Sequence, residues 1–199
     1  MGNKGNLTRQ LIRQQASAMF SEKGYTAVSM QDICTACGLS KGGLYRYYES
    51  KEHLFTDLLQ ELQAQEGRSE QMRITGTEPA AGILKTLLEH TRAELSPNIH
   101  TVNFALYEYC MEQRNGSGPE FIRAQFERGR EILTQLIQYG VDRGEFDSRH
   151  PEETAGSILI LLEGLKLIQE ASPFSQTTVD GVFRQIWRMV GIEWEDGMI

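Results

Sequence analysis

Residues 29–48, SMQDICTACGLSKGGLYRYY, decide the fold of this chain because they predict two short helices joined by a tight turn. Ser29 and Asp32 have the spacing of a capping box at the start of the first helix. Gly38 lies where that helix must end, since glycine adopts a positive φ cheaply. Ser40 is placed to cap the second helix. The stretch therefore predicts a helical pair whose outward face is polar and basic.

The outward face of the second helix, predicted over residues 41–48, combines glycines with basic side chains. Each interior glycine costs a helix about 1 kcal/mol relative to alanine, and Gly42 and Gly43 lie together in the first turn. Two glycines there let the backbone approach a surface closely, as the N-terminal end of a recognition helix does in the major groove of DNA. Lys41 and Arg46 supply positive charge for phosphates. The alternative, a helical hairpin with a solvated face, leaves the paired glycines unexplained.

The DNA-facing surface predicted from these patterns also includes residues at the start of the first helix of the pair and at the start of the helix that follows residue 50. Its predicted members are Ser29, Gln31, Lys41, Gly42, Gly43, Tyr45, Arg46, Tyr47 and Lys51. We expect Lys41, Gly43 and Arg46 to contact bases and the remaining side chains to contact the DNA backbone. Because the two glycines have no side chains, sequence specificity is expected to depend on Lys41, Arg46 and DNA shape.

Four motifs follow one another in residues 7–60: MFSEKGYTAVSM at the end of an opening helix, then ICTACGLS, KGGLYRYY and SKEHLF. In this order they resemble the DNA-binding domain of the tetracycline-repressor (TetR) family of bacterial transcriptional regulators. The resemblance is strong over about a quarter of the chain and rests elsewhere on helical pattern and length. It implies a homodimeric repressor with an N-terminal helix-turn-helix and a larger C-terminal domain that binds a small molecule.

The charge of the chain is distributed unevenly, although its net value of −7 is acidic. Residues 1–55 contain seven Lys and Arg against four Asp and Glu, whereas residues 56–199 contain 13 against 23. A basic end on an acidic body is expected when one end meets phosphate and the other meets solvent and a partner subunit. The charge distribution therefore agrees with DNA binding at the N-terminus.

The remaining sequence has helical periodicity and no alternating strand pattern, so we expect an all-α fold of about nine helices. A helix-turn-helix domain over residues 1–50 precedes a ligand-binding and dimerisation domain over residues 51–199. The sixth helix is expected to be largely buried, because apolar residues occur around most of its circumference. The pair over residues 29–48 forms the second and third helices. The first helix and the fourth to ninth helices are predicted over 7–23, 50–65, 79–95, 96–114, 119–144, 151–172 and 177–191. A mobile connector or frayed helix end is predicted over 67–78.

The two last helices are more apolar than one neighbouring helix requires, which predicts a homodimer built as a four-helix bundle around a two-fold axis. The alternative is that both helices complete the core of their own chain. In the dimer, two copies of the recognition helix would enter successive major grooves and bind a pseudo-palindromic operator in double-stranded DNA. An effector in the C-terminal domain would move the fourth helix and change the separation of the two DNA-binding ends. Nothing in the sequence separates repression from activation.

A small-molecule effector of unknown identity is expected to bind between helices five, six and seven, the usual location of a cavity in a helical bundle. A charged side chain within a mostly apolar helix, such as Glu108 or Arg92, either points to water or faces an opposite charge. A plain hydrophobic core accounts equally well for the apolar residues of this set. The candidate lining residues are Leu84, Leu88, Phe104, Tyr107, Glu108, Met111, Phe121, Gln125 and Phe126.

The sequence contains no pattern that predicts an enzyme, a cofactor or a metal centre. Cys34 and Cys37 form one CxxC pair, which supplies only two ligands and is explained by packing as well as by redox chemistry. A metal site from His90, His100 and Cys110 stays open. We expect a cytoplasmic protein that does not enter a membrane, because there is no secretory signal and the longest apolar run is too short for a bilayer. The competing hypothesis is an all-helical small-molecule-binding or enzymatic protein with a vestigial helix-turn-helix.

Overall fold

The computed structural model of the protein describes residues 2–74, 76–96, 101–116 and 118–193. Regular structure within these ranges is entirely α-helical, which confirms the predicted fold class. The helices are α1 (Gly2–Lys23), α2 (Met30–Cys37), α3 (Lys41–Tyr45), α4 (Lys51–Ile74), α5 (Ala80–Glu94), α6 (Asn103–Glu112), α7 (Gly118–Asp142), α8 (Pro151–Ala171) and α9 (Gln176–Met189).

The chain divides into two compact units. The N-terminal unit contains Met1–Glu66 together with His100–Arg114, and the C-terminal unit contains Gly67–Ile99 together with Asn115–Ile199. The predicted boundary after residue 50 does not coincide with this division, because the first part of α4 and the whole of α6 belong to the N-terminal unit. The N-terminal unit is thus formed by two segments of the chain that are separated in sequence by α5.

An aromatic cluster holds the N-terminal unit together. The ring of Phe55 on α4 lies 4.8 Å from that of Phe20 on α1 and 4.9 Å from that of Tyr25, centroid to centroid. Tyr109 on α6 packs edge-on against Tyr25 at 5.2 Å. All four rings are almost fully buried, and aromatic side chains bury more apolar area than most others. The cluster therefore fixes α1, α4 and α6 around the α1–α2 turn.

The C-terminal unit is a helical bundle in which α5, α7, α8 and α9 share one hydrophobic core. Gly140 on α7 lies close to another core residue, since a Cβ at position 140 would overlap the ring of Phe146. Trp187 and Phe183 on α9 are almost fully buried. The main members of the core are Ile83, Leu84, Leu88, Leu133, Leu136, Ile137, Phe146, Ala155, Ile158, Leu162, Leu165, Val179, Phe183, Ile186, Trp187 and Val190.

Three predicted helix boundaries differ from the structure by several residues. The α4 helix continues to Ile74 through the predicted connector, because residues 68–74 contain no proline or glycine and are mostly acceptable helix formers. The α6 helix begins at Asn103 and not near residue 96, although residues 97–100 lie outside the described part of the chain. The expectation for α1 also differs, since this helix begins at Gly2 and not at residue 7.

The expectation that α6 is largely buried is wrong as well. Ala105 and Tyr109 are fully buried, but the side chains of Phe104 and Met111 are 44% and 74% exposed. The apolar residues encircle the helix, whereas its packing within the N-terminal unit covers only one side. Sequence periodicity alone does not distinguish a helix covered on one side from one covered on all sides.

Candidate nucleic-acid interface

The start and end of α2 have the local geometry that the sequence predicts. Ser29 is the N-cap, and its Oγ accepts a hydrogen bond from the Asp32 amide at 3.2 Å. The Asp32 carboxylate in turn accepts the Ser29 amide at 2.9 Å, which completes the capping box. The Ser29 hydroxyl also donates a hydrogen bond to the Asp32 carboxylate at 2.5 Å, and this bond, together with that from the Ser29 amide, lowers the pKa of Asp32. At the other end Gly38 has φ +62° and reverses the chain toward α3.

The α3 helix is shorter than predicted. It spans five residues and ends at Tyr45, so Arg46 caps its C-terminus and Tyr47 lies beyond it. The Ser40 Oγ accepts the Gly43 amide at 3.1 Å and caps its N-terminus as expected. A Cβ at Gly42 would meet nothing within 4 Å, so this exposed position has room for a close partner.

An open groove of about 480 Å³ lies between α2, α3 and the start of α4. It brings together five of the nine predicted DNA-binding residues: Ser29, Gln31, Lys41, Tyr45 and Lys51. The groove is lined in addition by Thr26, Val28, Met30 and Cys34, which sequence analysis did not select. Thr26 and Val28 lie in the α1–α2 turn, whose packing no local pattern predicts, whereas Met30 and Cys34 are on α2.

The other predicted residues flank the groove. Arg46 is exposed, and its guanidinium lies 5.5 Å from the centroid of the Tyr47 ring. A hydrogen bond with Thr8 on α1, together with Arg46, lowers the pKa of the Tyr47 hydroxyl. Gly42 and Gly43 form the backbone of the first turn of α3. The predicted surface is therefore continuous along α3 and the segment that follows it.

Lys51 has an intramolecular partner that the sequence did not indicate. Its Nζ donates a hydrogen bond to the Tyr25 carbonyl at 2.8 Å and lies 4.1 Å from the centroid of the Tyr25 ring. An ammonium group has three N–H donors, so this contact leaves capacity for a phosphate. Lys51 thus joins the start of α4 to the α1–α2 turn while it lines the groove.

The predicted effector-binding residues belong to two different units. Phe104, Tyr107, Glu108 and Met111 lie in the N-terminal unit, whereas Leu84, Leu88, Phe121, Gln125 and Phe126 lie in the C-terminal unit. Both carboxylate oxygens of Glu108 accept hydrogen bonds from Thr26. The carboxylate of Glu108 therefore has hydrogen-bond partners within the N-terminal unit. Leu84 and Leu88 are fully buried core residues.

The described residues contain no group of three or more His, Cys, Asp or Glu side chains that could hold a metal ion. Cys34, Cys37 and Cys110 are free thiols. Burial raises the pKa of Cys37, and neighbouring Cys34 adds to the effect. Of the predicted His90, His100 and Cys110 set, His100 lies outside the described residues. None of the described helices is long and apolar enough to cross a bilayer.

A capped helical pair with a tight turn, braced by α1 and α4 and bordered by exposed basic side chains, defines a helix-turn-helix DNA-binding protein. Two family models agree with this class. Residues 12–58 match the bacterial regulatory proteins of the tetR family, and residues 83–179 match the tetracyclin repressor-like C-terminal domain. The chain belongs to the TetR family of transcriptional regulators.

Individual relatives are distant but similar over most of their length. The HTH-type transcriptional regulator YfiR of Bacillus subtilis (strain 168) is 24% identical over 170 residues, which cover 85% of this chain and 82% of YfiR. The HTH-type transcriptional repressor KstR2 of Mycolicibacterium smegmatis is 25% identical over 139 residues, or 69% of this chain and 67% of KstR2.

Solved structures share the fold. The reduced form of E. coli NemR superposes with a TM-score of 0.77 at 14% identity and covers 92% of this chain and 97% of NemR. A TetR transcription regulator from Haloarcula marismortui also has a TM-score of 0.77, at 20% identity, with coverage of 94% and 97%. At these identities the likeness concerns the fold alone.

Proposed function

We propose that this TetR-family regulator is a homodimeric repressor that binds a pseudo-palindromic operator and is released from it by a small-molecule effector. The observation that supports this most is the groove that unites Lys41, Tyr45 and Lys51 beside the capped end of α3. In a two-fold dimer, two such surfaces would meet successive major grooves about 34 Å apart on one face of DNA.

Within this proposal the residues divide by role. Lys41 and Arg46 contact base edges, since both are exposed on or next to the short α3 helix. Gly42 and Gly43 let the α3 backbone approach the DNA. The remaining predicted residues, Ser29, Gln31, Tyr45, Tyr47 and Lys51, contact the sugar-phosphate backbone and set the register of the protein.

The proposed dimer interface lies on α8, with a contribution from α9. Ile160, Leu167 and Ile168 on α8 are 62%, 46% and 49% exposed, and their spacing of seven and eight residues puts them on one face of the helix. Exposed apolar patches of this kind mark interaction surfaces. The apolar face of α9 is buried in its own core, as the alternative hypothesis stated. We therefore assign most of the apolar contact to α8.

The effector is proposed to bind in the C-terminal unit, near Leu84, Leu88, Phe121, Gln125 and Phe126. The Gln125 Oε1 atom is buried and has no hydrogen-bond partner among the described residues. A buried acceptor of this kind gains stability when a donor reaches it, which favours an effector with a hydroxyl, amide or ammonium group. The predicted α6 residues do not belong to this proposed site, because they lie in the N-terminal unit.

Repression is favoured over activation by the name of the M. smegmatis relative, which is described as a repressor. Coupling between DNA and effector is reciprocal, so an effector that weakens operator binding must bind the DNA complex more weakly than the free protein.

The test is selection of a bound sequence from a randomised DNA duplex library, followed by fluorescence anisotropy with the selected duplex and with random competitor across salt. Tight binding that resists competitor, with two chains per duplex, is the expected result. An enriched sequence with two inverted half-sites would agree with the dimer. Binding that salt abolishes equally for selected and random DNA would contradict the proposal and favour a vestigial helix-turn-helix.

A further inference from the structure

The α6 helix holds the edge of the DNA-binding groove through one carboxylate. The Thr26 Oγ1 donates a hydrogen bond to Glu108 Oε1 at 2.7 Å, and the Thr26 amide donates to Glu108 Oε2 at 3.1 Å. Thr26 lines the groove, whereas Glu108 is 82 residues further along the chain. We do not expect Glu108 itself to contact the DNA backbone, since phosphates repel a carboxylate.

The turn that carries Thr26 is shaped to accept this carboxylate. Gly24 has φ +79°, and a Cβ at that position would overlap the Glu108 carboxylate and touch the Phe104 ring. A side chain at residue 24 would therefore be strained by its backbone and would also displace Glu108. The close approach between the α1–α2 turn and α6 depends on glycine at this one position.

The same turn holds the basic side of the groove. The Tyr25 carbonyl accepts Lys51 Nζ at 2.8 Å, and the Tyr25 ring packs against Tyr109 of α6. Tyr109 in turn donates its hydroxyl to Glu52 Oε1 at 3.1 Å. Residues of α6 thus contact both Thr26 in the α1–α2 turn and Glu52 at the start of α4. The same turn positions the Lys51 ammonium through the Tyr25 carbonyl.

We propose that Glu108 is a positioning residue for DNA binding: its carboxylate fixes the Thr26 amide and hydroxyl, and thereby the relative positions of α2 and Lys51 in the groove. The inference rests on the DNA-binding role of the groove and not on repression, on the dimer or on an effector. It also explains why a charged residue occurs in the middle of an otherwise apolar helix.

The sign of the effect separates positioning from simple electrostatics. Removal of a negative charge from a DNA-binding unit strengthens its attraction to DNA. Loss of the Glu108 bonds should instead weaken binding, because the groove must then be ordered when DNA binds. The two explanations therefore predict opposite changes in operator affinity for the same substitution.

The test compares Glu108→Gln with Glu112→Gln in the full-length protein, on a duplex that the wild type has selected from a random library. Glu112 is a matched control because it is an exposed carboxylate at the end of the same helix. Its charge also acts on the same turn, since burial and then the negative charge of Glu112 raise the pKa of Tyr25. We expect Glu108→Gln to weaken binding about tenfold, as loss of charge-assisted hydrogen bonding does. Glu112→Gln should bind as tightly as the wild type or slightly more tightly.

Two further variants act from the other side of the contact. Thr26→Val removes the hydroxyl donor and keeps the shape, so it should weaken binding in the same direction as Glu108→Gln, and the double variant should lose less than the product of the two single losses. Thr26→Ser keeps the hydroxyl and should restore binding. The slope of log K against log salt should stay at the wild-type value in all of these variants, because no phosphate contact is removed.

Amide hydrogen exchange at Thr26 supplies a readout that needs no DNA. Exchange there should be faster in Glu108→Gln than in the wild type and unchanged in Glu112→Gln. Equal operator affinity of the Glu108→Gln protein and the wild type, or unchanged exchange at Thr26, would overturn the positioning role. Failure of the wild type to prefer any selected duplex would instead overturn the proposed function, and the exchange result would still decide whether Glu108 orders the turn.

Discussion

Replacement of Lys51 by methionine should affect both the stability of the fold and the affinity for DNA. Methionine keeps an unbranched apolar stem and removes the ammonium, so the hydrogen bond to the Tyr25 carbonyl at 2.8 Å and the contact with the Tyr25 ring at 4.1 Å are lost. A charged hydrogen bond contributes about 1.5–3 kcal/mol and a cation–π contact about 0.5–1 kcal/mol at an exposed site. Because Lys51 is only half-buried, we expect a loss of about 1–2 kcal/mol in the free energy of unfolding.

The loss in DNA affinity has a different signature. Each phosphate contact removed lowers the slope of log K against log salt by about 0.9, so a dimer that loses one Lys51 contact per chain should lose nearly two units of slope. Affinity for selected and random duplexes should fall by the same factor, because phosphate contacts carry no sequence information. Urea unfolding and fluorescence anisotropy across salt measure the two effects separately.

Lys41→Met is the matched control for this experiment. Lys41 is exposed, and its ammonium lies 5.8 Å from the centroid of the Tyr45 ring, so its loss should change the free energy of unfolding by less than about 0.5 kcal/mol. An unfolding free energy of Lys51→Met equal to that of the wild type would refute the structural role assigned to Lys51. An unchanged salt slope would show that Lys51 supports the turn without contacting phosphate.

Four further substitutions test separate features of the molecule. Arg46→Ala should relax sequence preference, with a loss of about 1–3 kcal/mol on the selected duplex and a smaller loss on random DNA; equal losses on both would assign Arg46 to the DNA backbone. Gly42→Ala should stabilise α3 by up to about 1 kcal/mol yet weaken operator binding, because a methyl group would occupy the open space beside Gly42; unchanged binding would mean that the α3 backbone does not approach DNA closely. Ile160→Glu should convert a dimer to a monomer in sedimentation equilibrium, since the charge would lie within the exposed apolar face of α8; a stable dimer would exclude that face as the interface. The hydrogen bonds from Ser29 lower the pKa of Asp32 in the folded state, so its contribution to stability is present above the ordinary carboxyl pKa of about 4 and is lost as pH falls through the folded-state value. Asp32→Asn should therefore reduce the difference in unfolding free energy between pH 7 and pH 3, and a difference as large as that of the wild type would contradict the capping-box role.

The features that sequence analysis predicted correctly depend on neighbours in the chain. The capping box of Ser29 and Asp32, the left-handed Gly38 and the Ser40 cap each involve residues within four positions of one another. Such interactions form wherever the backbone is helical, so residue type and spacing are sufficient to predict them. The same holds for the all-α fold class, since helical periodicity is a local property.

The end of α3 was predicted less well, although it too is local. The apolar and aromatic residues after Leu44 extend the helical pattern to Tyr48, but the regular helix ends at Tyr45. Tyr48, beyond the end of α3, is buried and donates its hydroxyl to Asp57 on α4 at 2.6 Å. A contact with another helix has thus overridden a helical pattern in the sequence, which is the usual limit of propensity arguments.

Contacts between distant segments decided the rest. Glu108 looked like a candidate for an effector site because a charge in an apolar helix requires a partner, and that requirement was correct. The partner is Thr26, 82 residues earlier, and it could be identified only once α6 had packed against the α1–α2 turn. Lys51 is a similar case, since its bond to Tyr25 spans 26 residues. The sequence pattern indicates which groups need hydrogen-bond or charge partners. Long-range packing determines which groups become those partners, because the free energy of a contact depends on distance in space and not on separation along the chain.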